Sequence, residues 1–285
     1  MLKIQKLGIT GGDAFLLSDD STAFLLDSGF AFSGPQLAEQ IRTALGTQPL
    51  DAILLTHSHY DHAGGAMQVK KLYPSAKIYA HEYAVKVFEK PGAKRTMREM
   101  DSAEAEKHGI TDYEDLFDAL QADFAVQDGD TIRLGRYTFQ VLHLPGHTRC
   151  SVGYWCAAER LLLASETLGV PACPGVVSPT YLVGYQITLD AIDRVSALPV
   201  EHIVVPHTGC LNGCDACREF LRTARHWAVE AHDRVHALHR AGETDQACIE
   251  LLRTLFYTPE TALVQPVKAF ELNARYMVPM LLKEP

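Results

Sequence analysis

The chain opens on short runs of apolar and alternating residues. Ile4–Ile9, Ala14–Ser18 and Ala23–Asp27 read as strands, punctuated by the turn signals Gly11-Gly12 and Asp19-Asp20. From Pro35 to Leu45 the period lengthens. Leu37, Ile41 and Leu45 share one stripe and a proline sits just inside the start, so a helix is predicted. Ala52–Thr56 is an apolar run of strand length that ends in a polar, histidine-rich turn. A second helix begins near Ala63 and stops before Pro74, and Lys77–Ala80 is another buried strand. Helix and strand therefore alternate from 35 to 81 in the α/β manner. Residues 82–120 read as charged and helical. Strand patterns return from about Phe124, at Thr131–Leu134, Tyr137–Leu144, Val152–Cys156 and Arg160–Ala164. Val170–Tyr185 reads as a long loop, followed by a helix over Leu189–Leu198 and a strand over His202–Val205. Everything from about Gly213 onward carries helical spacing, broken at Gly242 and near Pro259 and Pro266. Two β-rich halves, each with helices, followed by a helical tail, is the architecture these patterns predict.

Length and composition narrow what such an architecture does. At 285 residues, 47% of them apolar and 21% charged, the chain can bury a large core. Acidic residues outnumber basic ones by 35 to 26, and the densest basic stretch, around Lys94, Arg95 and Arg98, is short. A phosphate backbone demands a clustered basic surface, so nucleic acid is not an expected partner. No apolar stretch reaches the ~18 residues of a spanning helix, so no membrane association is expected either. Met1-Leu2-Lys3-Ile4 does not begin an export signal, and seven cysteines are an odd number. Both observations suggest free thiols in the cytoplasm.

The chemistry is concentrated at Thr56-His57-Ser58-His59-Tyr60-Asp61-His62-Ala63-Gly64-Gly65. Three imidazoles and a carboxylate follow directly on a buried strand. Such a turn lets His57 and His59 point the same way, while Asp61 and His62 swing round at a helix start toward a second point. Imidazole nitrogen and carboxylate oxygen are the donors that zinc, iron and manganese accept. A solvated loop that happens to hold histidines is the bland reading, and four such residues at this spacing argue against it.

His-x-His-x-Asp-His after a strand resembles the signature of the metallo-β-lactamase superfamily, and the other landmarks of that family follow in order. Leu25-Leu26-Asp27-Ser28-Gly29 is similar to the early strand whose aspartate supports the metal site. Leu144-Pro145-Gly146-His147-Thr148 matches the turn that supplies a further histidine. Leu161–Gly169 occupies the place of the strand ending in the bridging acid, and Val204-Val205-Pro206-His207 that of the last histidine. The resemblance covers about residues 2–210. It implies a four-layer αββα sandwich of the α/β (α+β) class, with a catalytic domain over 1–210 and a helical extension over 211–285. It implies two divalent metal ions, zinc first, with iron or manganese as alternatives. His57, His59 and His147 would hold one ion, and Asp61, His62 and His207 the other. The departure is Ser165-Glu166, where the family has Asp after Gly. Glu166 has the same ligand atoms on a longer arm, so it can bridge, hold one metal only, or stand behind the ligands.

The resemblance implies hydrolysis by a hydroxide that the two ions generate, with Asp61 as the catalytic residue orienting the nucleophile or taking its proton. The expected substrate is a small ester, thioester or lactone. A phosphodiesterase, an iron-dependent oxidoreductase of the same fold and a metal-binding regulatory protein with little catalysis remain alternatives, and a homodimer stays open. Tyr181, Tyr185 and Phe270 are candidate pocket residues or plain packing. Cys210, Cys214 and Cys217 read as free thiols at a helix start, with a redox pair or an extra metal as alternatives. His81, His143 and His202 are expected to be structural. His226, His232, His236 and His239 are expected on the surface of a charged helix.

Overall fold

The computed structural model describes residues 2–284. Two compact units divide the chain. The first runs through His143 and includes Val152–Ala158; the second holds Leu144–Ser151 and the chain from Glu159 onward.

The first unit is built on a sheet in the order β1-β2-β3-β4-β5-β6, formed by Lys3–Ile9, Gly12–Ser18, Ala23–Leu26, Ala52–Leu54, Lys77–His81 and Phe124–Val126. The first three strands are joined by tight turns and pair antiparallel. β3, β4, β5 and β6 run parallel, as crossover connections require. The crossovers carry α1 (Gly34–Leu45), α2 (Tyr60–Ala63), α3 (Ala66–Leu72), α4 (Glu82–Phe88) and α5 (Pro91–Lys107). β3 and β4 are buried along their whole length, which explains why they read as continuous apolar runs. β8 (Tyr137–His143) pairs antiparallel with β7 (Thr131–Leu134) and β9 (Val152–Cys156). In β8, Tyr137, Phe139 and Val141 turn inward while Thr138 and Gln140 face solvent, the period-2 pattern of a strand with one wet face. Phe139 meets Phe24 of β3 edge-on at 5.3 Å.

The expected helix over 82–120 ends at Lys107. Gly109 adopts φ 72°, its N–H returns to Glu106, and that of Ile110 returns to Ala105. This is the left-handed glycine stop of a helix end. Beyond it the chain is irregular apart from a single 3-10 turn at Phe117–Ala119.

In this region α5 buries one carboxylate, that of Asp101, which accepts a hydrogen bond from the Ala31 N–H at 2.9 Å beside the apolar cluster of Phe30, Phe32 and Ala105. Burial pushes its pKa up to about 6, against the lowering effect of its hydrogen bonds. A carboxyl whose folded pKa lies above its unfolded value binds its proton more tightly in the native state. Its ionisation therefore costs stability, beginning near the unfolded pKa of 3.8 and complete above about pH 6. Asp101→Asn keeps an acceptor for Ala31 and removes that cost. It is expected to stabilise the protein by up to about 3 kcal/mol at pH 8, with the gain fading below about pH 4. Urea unfolding of both proteins across this range measures it, and a gain independent of pH sinks the assignment.

The second unit places β10 (Leu161–Leu163) parallel to β13 (His202–Val205), which pairs antiparallel with β14 (Gly209–Asn212). The segment expected to be a loop over 170–185 contains a hairpin. β11 (Val170–Cys173) and β12 (Val176–Ser178) pair antiparallel around Pro174-Gly175, with Gly175 at φ 78°. α6 covers Tyr185–Ser196, one turn earlier than its apolar stripe predicts. α7 (Cys214–Arg240) buries Phe220, Ala224, Ala228, Ala231 and Val235 along one stripe. α8 (Asp245–Phe256), α9 (Pro259–Val264) and α10 (Val267–Leu281) complete the tail. The expectation that His232 lies on the surface is overturned. It is 6% exposed and stacked on Tyr185 at a centroid distance of 4.0 Å, and His236 is half-buried, whereas His226 and His239 are exposed. Among the described residues no helix is long and apolar enough to cross a membrane.

Candidate metal centre

β4 delivers the chain to the polar turn, and the turn is shaped by Asp27. This residue lies at the end of β3 with φ 56°, a left-handed conformation that aspartate tolerates better than most side chains. Its carboxylate is buried and accepts from the Thr56 N–H at 2.7 Å and from the Thr56 hydroxyl at 2.8 and 3.0 Å. It also accepts from His62 Nδ1 at 2.9 Å. Thr56 in turn lies 3.0 Å from His57 Nδ1.

These contacts fix proton positions. A carboxylate only accepts, so His62 carries its proton on Nδ1 and offers Nε2. The Thr56 hydroxyl spends its proton on Asp27, so it accepts from His57 Nδ1–H, and His57 also offers Nε2.

α2 is preceded by His59, whose carbonyl takes the N–H groups of His62 and Ala63. The turn and this single turn of helix bring the rings of His57 and His59 to 4.6 Å and those of His57 and His62 to 4.1 Å. The Gly64-Gly65 pair lets α2 press onto the loop after β3. A Cβ on Gly65 would stand 2.2 Å from the Ser28 carbonyl oxygen, and one on Gly64 2.6 Å from the Ala31 nitrogen. The Ser28 N–H and hydroxyl bind the His62 carbonyl, locking the turn from behind.

In the second unit His147 is 2% exposed and its Nδ1 lies 2.9 Å from the Thr180 carbonyl, an acceptor only. Its Nε2 therefore also carries the lone pair, 3.6 Å from Glu166 Oε2. Glu166 opens a 3-10 turn after β10. Its main-chain carbonyl accepts from the Thr180 hydroxyl at 2.6 Å, and its Oε1 lies 3.2 Å from His207 Nε2. His207 lies at φ 60° in the turn that joins β13 to β14, where the Thr208 N–H returns to the Val205 carbonyl at 3.2 Å, so the turn imposes a left-handed backbone on a residue that carries a Cβ.

Two groups of ligand atoms emerge. One atom each from His57, His59 and His147 lie within 4.8 Å of one another, and so do one each from Asp61, His62, Glu166 and His207. The first group consists of imidazoles. The second mixes two acids with two imidazoles, and His62 Nε2 stands 3.6 Å from Asp61 Oδ2. Both donor sets suit a borderline divalent cation, and the tautomers fixed at His57, His62 and His147 leave Nε2 as the donor atom of each ring.

The other residues read as candidates have the following surroundings. Tyr181 is fully buried and its hydroxyl donates to the Ala228 carbonyl at 3.3 Å. Tyr185 packs on His232, and Phe270 on Tyr257 at 5.2 Å. Cys210 sits on β14 and Cys214 and Cys217 in the first turn of α7, all with free thiols. Burial pushes the Cys217 thiol up to about 11 and raises that of Cys210, the opposite of what a reactive thiolate needs. Thr180 was not singled out from the sequence. A threonine in a polar loop carries no local signal, and its part depends on contacts with residues 33 and 14 positions away.

The pattern of the metallo-beta-lactamase superfamily matches residues 7–207, and the chain belongs to this superfamily. A hydroxyacylglutathione hydrolase of Francisella tularensis subsp. holarctica is 30% identical over 154 residues, covering 54% of this chain and 46% of that protein. One from Bdellovibrio bacteriovorus is 26% identical over 209 residues, covering 72% of this chain and 66% of its own. The chain thus spans about half the length of the first curated relatives it matches. The solved structure of a metallo-beta-lactamase family protein from Thermus thermophilus superposes with a TM-score of 0.66 at 19% identity, over 98% of this chain and 93% of that one. The mixed α/β fold with several sheets and C-terminal helices, expected from the sequence resemblance, is borne out.

Proposed function

We propose that this chain is a dinuclear metal-dependent hydrolase of a small acyl thioester or ester. The observation that carries the reading is the pair of ligand groups, three histidines in one and Asp61, His62, Glu166 and His207 in the other. In this reading His57, His59 and His147 hold one cation and the second group holds the other, with zinc as the first choice of metal. Glu166 reaches toward His207 with one oxygen and toward His147 with the other, which supports a bridging role despite its extra methylene. Residues 1–210 would form the catalytic domain and 211–285 a helical extension.

Bound divalent ions supply Lewis acidity and lower the pKa of water. The chain supplies the rest. Asp27, Thr56 and the Thr180 carbonyl hold three imidazoles in the tautomer that presents Nε2. Asp61, partly exposed beside His62, can orient an attacking water and accept its proton. Thioesters lead the candidate substrates because the relatives' name, hydroxyacylglutathione hydrolase, describes cleavage of an acylated thiol.

The test is a screen of acyl thioesters, lactones and phosphodiesters with zinc-, manganese- and iron-loaded protein. Thioester hydrolysis that stops on chelation and returns with metal is the expected result. Turnover indifferent to chelation, or none with any acyl substrate, sinks the proposal. A phosphodiester preferred over every thioester replaces the substrate class and leaves the metal site standing.

A further inference from the structure

The start of α6 has no cap from its own neighbourhood. Gly184 precedes it and has no side chain, yet the first two amides of the helix, those of Tyr185 and Gln186, are not left to water. They donate to the two carboxylate oxygens of Glu284, at 2.9 and 2.8 Å, across 99 and 98 residues of chain. The end of the tail is held in turn by α7. His236 Nε2 lies 3.0 Å from the carbonyls of both Leu281 and Glu284, and His232 Nε2 lies 3.3 Å from the latter. His232 itself is clamped face to face on Tyr185, the first residue of α6.

Directly upstream of this cap lies the segment that grips two of the proposed metal ligands. The Leu182 and Val183 N–H groups both donate to the Gly146 carbonyl at 2.8 Å, fixing the residue before His147. The Thr180 carbonyl accepts from His147 Nδ1, and the Thr180 hydroxyl donates to the Glu166 carbonyl. Residues 180–186 thus form a strap. One end orients His147 and Glu166, and the other end is anchored by a carboxylate from the far end of the chain.

We propose that Glu284 is a positioning residue for the metal centre: its carboxylate anchors the 180–186 strap and through it sets His147 and Glu166. This rests on the metal-site reading given above. A charge-assisted cap on two helix amides is worth more than a neutral one, and partners behind metal ligands commonly govern metal affinity by tenfold or more. The late start predicted for α6 has the same cause, because a cap donated from residue 284 leaves no trace near residue 185.

Two variants separate anchoring from general damage. Glu284→Ala removes the carboxylate. Gly184→Ala leaves Glu284 in place but sets a Cβ 2.8 Å from its Oε1, so the carboxylate must move off while the extended backbone at 184 accepts alanine. Zinc affinity by chelator competition is expected to fall about tenfold in both. Amide exchange at Leu182 and Val183 is expected to quicken about tenfold. Val235→Ala, which only opens a cavity behind α7, serves as the control and is expected to lower the melting temperature while moving neither readout. Zinc affinity within about twofold of wild type in both variants overturns the proposal, and so does an equal loss in Val235→Ala. Wild-type protein that takes up no zinc defeats the metal reading instead. The exchange arm then judges the strap alone, and unchanged protection at Leu182 and Val183 overturns it.

Discussion

His207→Gly is expected to cut hydrolysis by about three orders of magnitude while the metal-free protein stays as stable as wild type or gains slightly. The two halves of this expectation come from different properties of one residue. The imidazole belongs to the second group of ligand atoms, with Asp61, His62 and Glu166, and its Nε2 lies 3.2 Å from Glu166 Oε1. Without it three donors remain there, and the second cation of the proposed dinuclear site would lose both affinity and position. The backbone, however, sits at φ 60°, where a side chain with a Cβ costs about 1 kcal/mol or more and glycine costs almost nothing. Glycine therefore relieves a local strain as it removes the ligand. His207→Ala removes the ligand without relieving the strain, so it should match glycine in lost activity and fall below it in stability. Melting curves of metal-free protein, zinc stoichiometry and thioester turnover across the two variants read this out. A glycine variant that retains full zinc content and turnover sinks the ligand assignment. One that unfolds more readily than the alanine variant sinks the strain argument.

How much of this centre can be read from the sequence depends on how local its causes are. The His57–His62 turn is legible because a buried strand, alternate histidines and Gly64-Gly65 are all neighbours in the chain, and a three-residue strand with a four-residue helix follows from them. The stop of α5 is also written locally, in Gly109, although the charged pattern beyond it invites a longer helix. Other features have no local cause. α6 begins at Tyr185 because Glu284 caps it. His232 is buried although the helix around it is charged, because Tyr185 and the chain end cover that face. β14 carries Gly209-Cys210-Leu211-Asn212, which has no strand pattern, and it pairs because β13 offers an open edge. Periodicity reports which face of an element is apolar, and it is silent where a partner far along the chain decides the outcome.

Asp27 yields the other large effect, and here two substitutions part company. Asp27→Ala removes the acceptor of a buried amide, a buried hydroxyl and an imidazole at once, and places alanine at φ 56°. Each orphaned buried donor costs about 1–3 kcal/mol, so a loss of at least about 3 kcal/mol is expected together with loss of activity. Asp27→Asn is subtler. Asparagine tolerates the left-handed backbone, and its oxygen can still serve the Thr56 amide. Its NH2 group then faces His62 Nδ1, where it can only donate. The imidazole must move its proton to Nε2, which closes the lone pair aimed at the second ligand group. Turnover and zinc occupancy are therefore expected to fall at least about a hundredfold while stability changes by only about 1 kcal/mol. Nitrogen-15 spectra of the histidine rings report the tautomer directly, and in Asp27→Asn the His62 proton should appear on Nε2. A variant that keeps the proton on Nδ1 and still loses its metal would mean that Asp27 acts by charge and not by fixing the tautomer.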